Sequence, residues 1–149
     1  MSTTTISDTA QLSNELKEKI VGEVKFDRLS RLLYSTDASI YQMMPIGVVI
    51  PRNTADVSAT IEIANKNSIP ILPRGGGTSL AGQTVGNALV IDFSKYMRHM
   101  IEINTEEKWV RTQPGIVLDE LNRQIKKTNL MFTPDPSTSN RSNVGGAIG

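Results

Sequence analysis

The chain contains no cysteine. That absence removes disulfides, a thiolate nucleophile and iron–sulfur ligands from these residues, so any redox chemistry has to come from a bound cofactor. It also permits a cytoplasmic setting. Charge of one sign is missing as well: 16 Lys and Arg against 15 Asp and Glu leave a net +1. With the basic residues scattered along the chain, there is no electrostatic footprint for nucleic acid, which is not an expected partner. No apolar run is long enough for a transmembrane segment, and the Ser/Thr-rich stretch from Met1 to Ala10 lacks the basic and apolar regions of an export signal. Histidine is reduced to His99, which has no Asp, Glu or Cys at ligand spacing. A solvated or hydrogen-bonded ring is expected there, and no metal site.

What is present suits one globular domain: 149 residues, 38% hydrophobic and 21% charged, enough for a modest core. After a leader expected to be disordered, Leu12, Leu16 and Ile20 share one helical face up to Gly22. Leu29, Leu32 and Leu33 suggest a second short helix, and Tyr41, Met43 and Met44 read on residue type as core filler. Val48-Val49-Ile50 is a β-branched strand closed by Pro51. Asn53 and Thr54 are N-cap candidates for a helix with Val57, Ile61 and Ala64 on one face, and Ile69 to Leu72 forms the next strand. The helix between them is long enough for a right-handed crossover, so these two strands are expected to pair in parallel. Ala88 to Phe93 is a third strand. Residues 101–104 and 108–112 alternate as an antiparallel hairpin, with Trp109 in cross-strand packing. Pro114-Gly115 then opens a helix carrying Val117, Leu118, Leu121 and Ile125, acidic early and basic late as the helix dipole prefers.

Between the second and third strands lies Pro73-Arg74-Gly75-Gly76-Gly77-Thr78-Ser79-Leu80-Ala81-Gly82-Gln83. Consecutive glycines reach positive φ and let backbone N–H groups converge on an anion, to which Thr78 and Ser79 add hydroxyls. A side chain at Gly76 would then disfavour positive φ and stand in the anion's path. On composition alone a tight bend using glycine for geometry is an equal reading; Arg74 and the hydroxyl pair favour an anion. A nucleoside-triphosphate loop does not fit, because Gln83 stands where its lysine belongs and no helix follows. The dinucleotide fingerprint fails at Leu80, where its third glycine should be.

The stretch Arg74 to Gln83 resembles the FAD pyrophosphate loop of the vanillyl-alcohol oxidase and p-cresol methylhydroxylase flavoproteins, in the branch with D-lactate and glycolate dehydrogenases. Tyr34 to Tyr41, Val48 to Pro51, Gln113 to Leu118, and Pro134 to Thr138 running on to Gly145-Gly146 agree in order. The resemblance implies an α+β fold: an α/β lobe with a small parallel β-α-β sheet, followed by the start of an antiparallel lobe. Residues 1–25 would be a leader and helix, and 26–149 a PCMH-type FAD-binding domain incomplete at its C-terminus.

It further implies that Arg74, Gly75, Gly76, Gly77, Thr78, Ser79 and Gln83 surround the pyrophosphate, while Pro136, Ser137, Thr138, Gly145 and Gly146 contact the rest of FAD. Read without the resemblance, residues 137–140 are an ordinary polar loop. Thr78 stands where some relatives tether FAD through histidine, which implies noncovalent FAD. The implied parent is an FAD-dependent dehydrogenase acting on a small 2-hydroxyacid, cytoplasmic or membrane-peripheral, with catalytic residues beyond Gly149 and an iron–sulfur cluster in a C-terminal module. These residues alone are expected to be inactive and to self-associate through the truncated face. Two other readings stand beside it: a non-catalytic α/β module for a nucleotide phosphate or a protein, and the enolpyruvyl-sugar reductase that shares this FAD domain.

Overall fold

The computed structural model describes residues 6–149. Helix α1 spans Ile6–Lys19 and starts inside the stretch expected to be a disordered leader; that expectation for residues 1–5 lies outside the described residues. Leu12, Leu16 and Ile20 are buried, as their spacing predicts. Strand β1, Glu23–Lys25, is too short and polar to stand out in the sequence. Helix α2, Arg28–Leu33, is capped by Asp27, whose carboxylate accepts the Ser30 N–H.

Strand β2, Gly47–Ile50, runs into helix α3, Thr54–Lys66, whose N-cap is Asn53. Buried Asp56 adds a second lock: its carboxylate accepts the N–H groups of Arg52 at 2.8 Å and Val21 at 3.0 Å, tying α1 to the start of α3. Strands β3, Ile71–Arg74, and β4, Leu89–Asp92, complete a sheet in the order β1-β2-β4-β3. The expected direct pairing of β2 with β3 is therefore corrected. Both are parallel to β4, which lies between them, while β1 adds an antiparallel edge.

The two interior strands, β2 and β4, are buried along their whole length, with side chains packed on both faces. Val49 and Leu89 point to a cluster with Leu12, Leu16, Ile63 and Ala64 of α1 and α3. Val48, Ile50 and Val90 point to the other face, covered by Tyr34, Leu72 and Tyr96. A two-stranded unit of β5, Met100–Asn104, and β6, Trp109–Thr112, follows as an antiparallel hairpin. Helix α4, Leu118–Ile125, continues as a 3-10 turn over Lys126–Thr128, and the short α5 spans Val144–Ile148. Ile116, Leu118, Leu121, Ile125 and Val144 form a separate core against Met100, Ile103 and Val110 of the hairpin.

Two expectations about side chains fail. Tyr41, Met43 and Met44 are exposed rather than core filler, as are Leu29, Leu32 and Leu33 of α2. Trp109 lies opposite polar Asn104 and is held locally, its Nε1 donating to Glu107 and Arg111 lying over its ring. His99 is hydrogen-bonded as expected, with Nδ1 3.0 Å from Oε1 of Gln113.

Candidate cofactor site

The glycine loop leaves the carboxyl end of β3 and returns as β4, so it joins two adjacent parallel strands without a helix. Crevices at strand carboxyl ends are the usual ligand positions in such sheets. Of Gly75, Gly76 and Gly77 only Gly77 has positive φ, +64°; the expectation of positive φ at Gly76 is corrected. Gly75 and Gly76 are glycines for close approach instead. A Cβ at Gly75 would meet Oδ1 of Asn143 at 2.6 Å, and one at Gly76 would meet the carbonyl oxygen of Arg141 at 2.3 Å. The loop thus lies against the segment after Pro134, and these two glycines make that contact sterically feasible.

That second segment is anchored by backbone pairing. The N–H of Leu118 donates to Ser142 at 3.0 Å, that of Val144 to Ile116 at 3.0 Å, and that of Gly145 to Pro114 at 2.9 Å. Asn143 is buried, and its Nδ2 donates to the Gly115 carbonyl at 2.7 Å while its Oδ1 has no hydrogen-bond partner. Ser142 joins the two walls. Its hydroxyl is 3.1 Å from that of Thr78 in the glycine loop and 2.7 Å from that of Thr138.

The walls enclose a cleft of about 820 Å³ lined by Arg74, Gly75, Gly76, Gly77, Thr78, Ser79, Gln83, Pro136, Thr138, Gly145 and Gly146. These residues, far apart in sequence, are brought to one place. Ser137 is exposed and does not line the cleft. Ser79 and Gln83 are partnered to each other, the Ser79 hydroxyl donating to Oε1 of Gln83 at 2.7 Å. Sequence reasoning missed Ser142, Asn143, Phe93 and Pro114 as lining residues. Ser142 and Asn143 directly precede the Gly145-Gly146 pair, and that adjacency was the available signal.

Supports stand behind the loop. Asp37 accepts the Thr84 hydroxyl at 3.0 Å and the Ser39 N–H at 2.9 Å, and the Ala38 N–H donates to the Gly77 carbonyl at 3.0 Å. Burial pulls the Asp37 pKa upward, but the hydrogen bonds from Ser39 and Thr84 outweigh it and hold the carboxyl below its usual range. The Tyr34 hydroxyl donates to Oδ2 of buried Asp92 at 2.6 Å. Burial, and after it that hydrogen bond to a carboxylate, pushes the Tyr34 phenol well above its usual pKa.

The site suits an extended phosphate-bearing cofactor. Among the described residues the backbone N–H groups of Gly76, Gly77, Thr78 and Ser79 donate no hydrogen bond, the condition for an anion-binding nest. On the facing wall, a Cβ added to Gly146 would meet nothing within 4 Å, leaving open space beside the backbone. The cleft volume lies within the range of cofactor pockets. No group of three or more His, Cys, Asp or Glu among the described residues is placed to hold a metal ion. None of their helices is long and apolar enough to cross a membrane.

Comparison with known proteins agrees with this geometry. The chain is 42% identical over 130 residues to D-2-hydroxyglutarate dehydrogenase of Pantoea ananatis, a match covering 85% of this chain and 13% of that protein. It is 37% identical over 145 residues to glycolate oxidase subunit GlcD of Bacillus subtilis, covering 92% of this chain and 31% of that subunit. The chain thus spans less than a third of these relatives. Among solved structures, alkyldihydroxyacetonephosphate synthase superposes with a TM-score of 0.81 at 24% identity, over 92% of this chain and 28% of that one. Substrate-bound p-cresol methylhydroxylase does so with a TM-score of 0.76 at 17% identity, over 97% and 30%; at such identities the likeness is one of fold. The model of the FAD binding domain family matches residues 45–149, and this chain, with both walls of its cleft built inside that span, belongs to that family.

Proposed function

We propose that these residues form the FAD-binding part of a flavin-dependent oxidoreductase acting on a D-2-hydroxyacid such as D-lactate, glycolate or D-2-hydroxyglutarate. The observation that carries the reading is the run of unpaired N–H groups from Gly76 to Ser79 in a loop lining the cleft. These N–H groups and the Thr78 hydroxyl would hold the pyrophosphate. Thr138 and Ser142, already linked through their hydroxyls, would line the cofactor's path, and the Gly145-Gly146 backbone would give it room. Bound FAD supplies hydride acceptance, which no side chain here can provide. The binding is noncovalent, since Thr78 offers no histidine for a tether. The relatives' names support the substrate class.

Only Arg74 and Asp135 among the lining residues carry charge, so an acid–base pair for the oxidation would be contributed by residues outside this stretch. Iron–sulfur ligands would likewise come from elsewhere, given the absence of cysteine. A cytoplasmic setting and self-association through the face around exposed Ile148 belong to the same proposal. The lack of a titratable pair in the cleft favours, as a second reading, a domain that binds FAD without turnover.

Acid precipitation of the full-length protein tests the cofactor claim: free flavin in the supernatant is expected, whereas colour retained by the polypeptide contradicts noncovalent binding. Dye reduction with D-lactate, glycolate and D-2-hydroxyglutarate separates the two readings. A flavin-loaded protein that reduces dye with none of them leaves the binding-only domain standing.

A further inference from the structure

A guanidinium beside a phosphate nest invites assignment as the anion's charge partner, and among the described residues lining the cleft Arg74 is the only cation. Its hydrogen bonds run elsewhere. Nη1 donates to the carbonyl oxygens of Thr84 at 3.1 Å and Tyr34 at 3.4 Å, and Nη2 donates to the carbonyl of Thr36 at 2.8 Å. The group lies over the Tyr34 ring, 5.3 Å from its centre. A Cβ on Gly77 would sit 2.6 Å from Nη2, so the positive-φ glycine rests directly on the guanidinium. These partners belong to the far end of the loop and to the segment that supports it from behind.

We infer that Arg74 is a positioning residue: it shapes the Gly75–Ser79 nest by clamping the 34–36 segment to Thr84 beneath Gly77, and it serves cofactor binding through that geometry rather than by meeting a phosphate. The inference rests on the FAD reading above. A lysine keeps the charge but cannot reproduce a planar fork spread over three carbonyls and a ring. Asp37 closes the same clamp from the other side through Thr84, without contributing positive charge.

The test measures FAD dissociation constants of the full-length protein at low and high salt for wild type, Arg74→Lys, Arg74→Gln, Arg74→Ala and Asp37→Ala, with melting of each apo form. Lys and Gln are expected to weaken FAD by the same factor, about tenfold or more, because the fork is lost in both. The salt dependence should stay at the wild-type slope. Millimolar guanidinium, but not ammonium, should restore binding to Arg74→Ala. Near wild-type affinity in Arg74→Lys, with a flattened salt slope in Arg74→Gln, overturns the clamp in favour of direct charge contact. Should every Arg74 variant unfold, Asp37→Ala decides: weakened FAD supports the clamp, and undiminished affinity overturns it. A wild-type protein that binds no FAD fails the cofactor reading first, and the clamp with it.

Discussion

The carbonyl oxygen of Arg141 occupies the space that a side chain on Gly76 would need, 2.3 Å from where its Cβ would lie. Backbone cannot swing aside as a side-chain tip can, so Gly76→Ala forces the two walls of the cleft apart. We expect a loss of about 1–3 kcal/mol, the usual cost of overpacking, together with loss of FAD retention. Gly146→Ala should melt with wild type, since its Cβ meets nothing within 4 Å, and yet bind FAD more weakly. Thermal melts paired with flavin titrations check both; equal melting temperatures for wild type and Gly76→Ala would show that the walls are not in fixed contact.

Asn143→Ala should destabilise the protein. The Asn143 amide is the buried partner of the Gly115 carbonyl, and leaving a buried acceptor unpaired costs about 1–3 kcal/mol. The orphaned Oδ1 is lost in the same substitution, which places the expectation at the lower end of that range. Urea denaturation measures it, and an unchanged midpoint would count against the pairing.

Tyr34→Phe removes the only side-chain donor to buried Asp92 among the described residues, leaving it the Ser94 N–H at 2.7 Å. Hydrogen bonds to charged groups are worth about 1.5–3 kcal/mol, and a loss of that order is expected at neutral pH. Denaturation of the variant beside wild type tests it; a variant as stable as wild type would show that solvent replaces the phenol.

Acid should loosen the β1 edge. Hydrogen bonds from Lys95 first, then Tyr96 and Lys25, lower the Glu23 pKa from 4.5 to about 2. A carboxyl depressed on folding adds stability above its unfolded pKa and gives it up as pH falls through the folded value. The Glu23 contribution should therefore be complete above about pH 4.5 and gone near pH 2, and modest, because its partners are solvated. Denaturant melts of wild type and Glu23→Gln from pH 6 to 2 should converge as pH falls. A constant gap between the two would remove Glu23 from the acid response.

Periodicity made α1, α4 and the hairpin legible, because each carries enough apolar residues at one spacing to exceed local noise; α3 was found but its face was misread, since Ile61 is exposed and Thr60, Ile63 and Ala64 are buried. Strand order was not legible. The helix after β2 can deliver β3 beside it or one place further out, and β4 inserts between them. Strand β1 escaped notice because Glu23-Val24-Lys25 has one apolar residue and gains its ladder from β2. Around the cleft, the glycine loop announced itself by composition, whereas Ser142 and Asn143 look like any polar loop until the backbone pairing with residues 114–118 buries them. Tyr41 and the methionine pair misled because residue type reports only a preference for burial: all three stay exposed, although the Tyr41 ring lies against Gly82.

The cleft runs along a seam. One wall grows from the sheet and its clusters, and the other from the separate core around Leu118, Leu121 and Val144. A cofactor lying across that seam works as a rivet between two independently packed halves, adding its binding free energy to the cohesion of the folded state in proportion to the logarithm of its concentration. In protein stripped of flavin, amide exchange at the hydrogen-bonded Leu118, Val144 and Gly145 N–H groups that hold the second wall should therefore be faster than in the interior of β4, and flavin should slow it there while leaving β4 almost untouched.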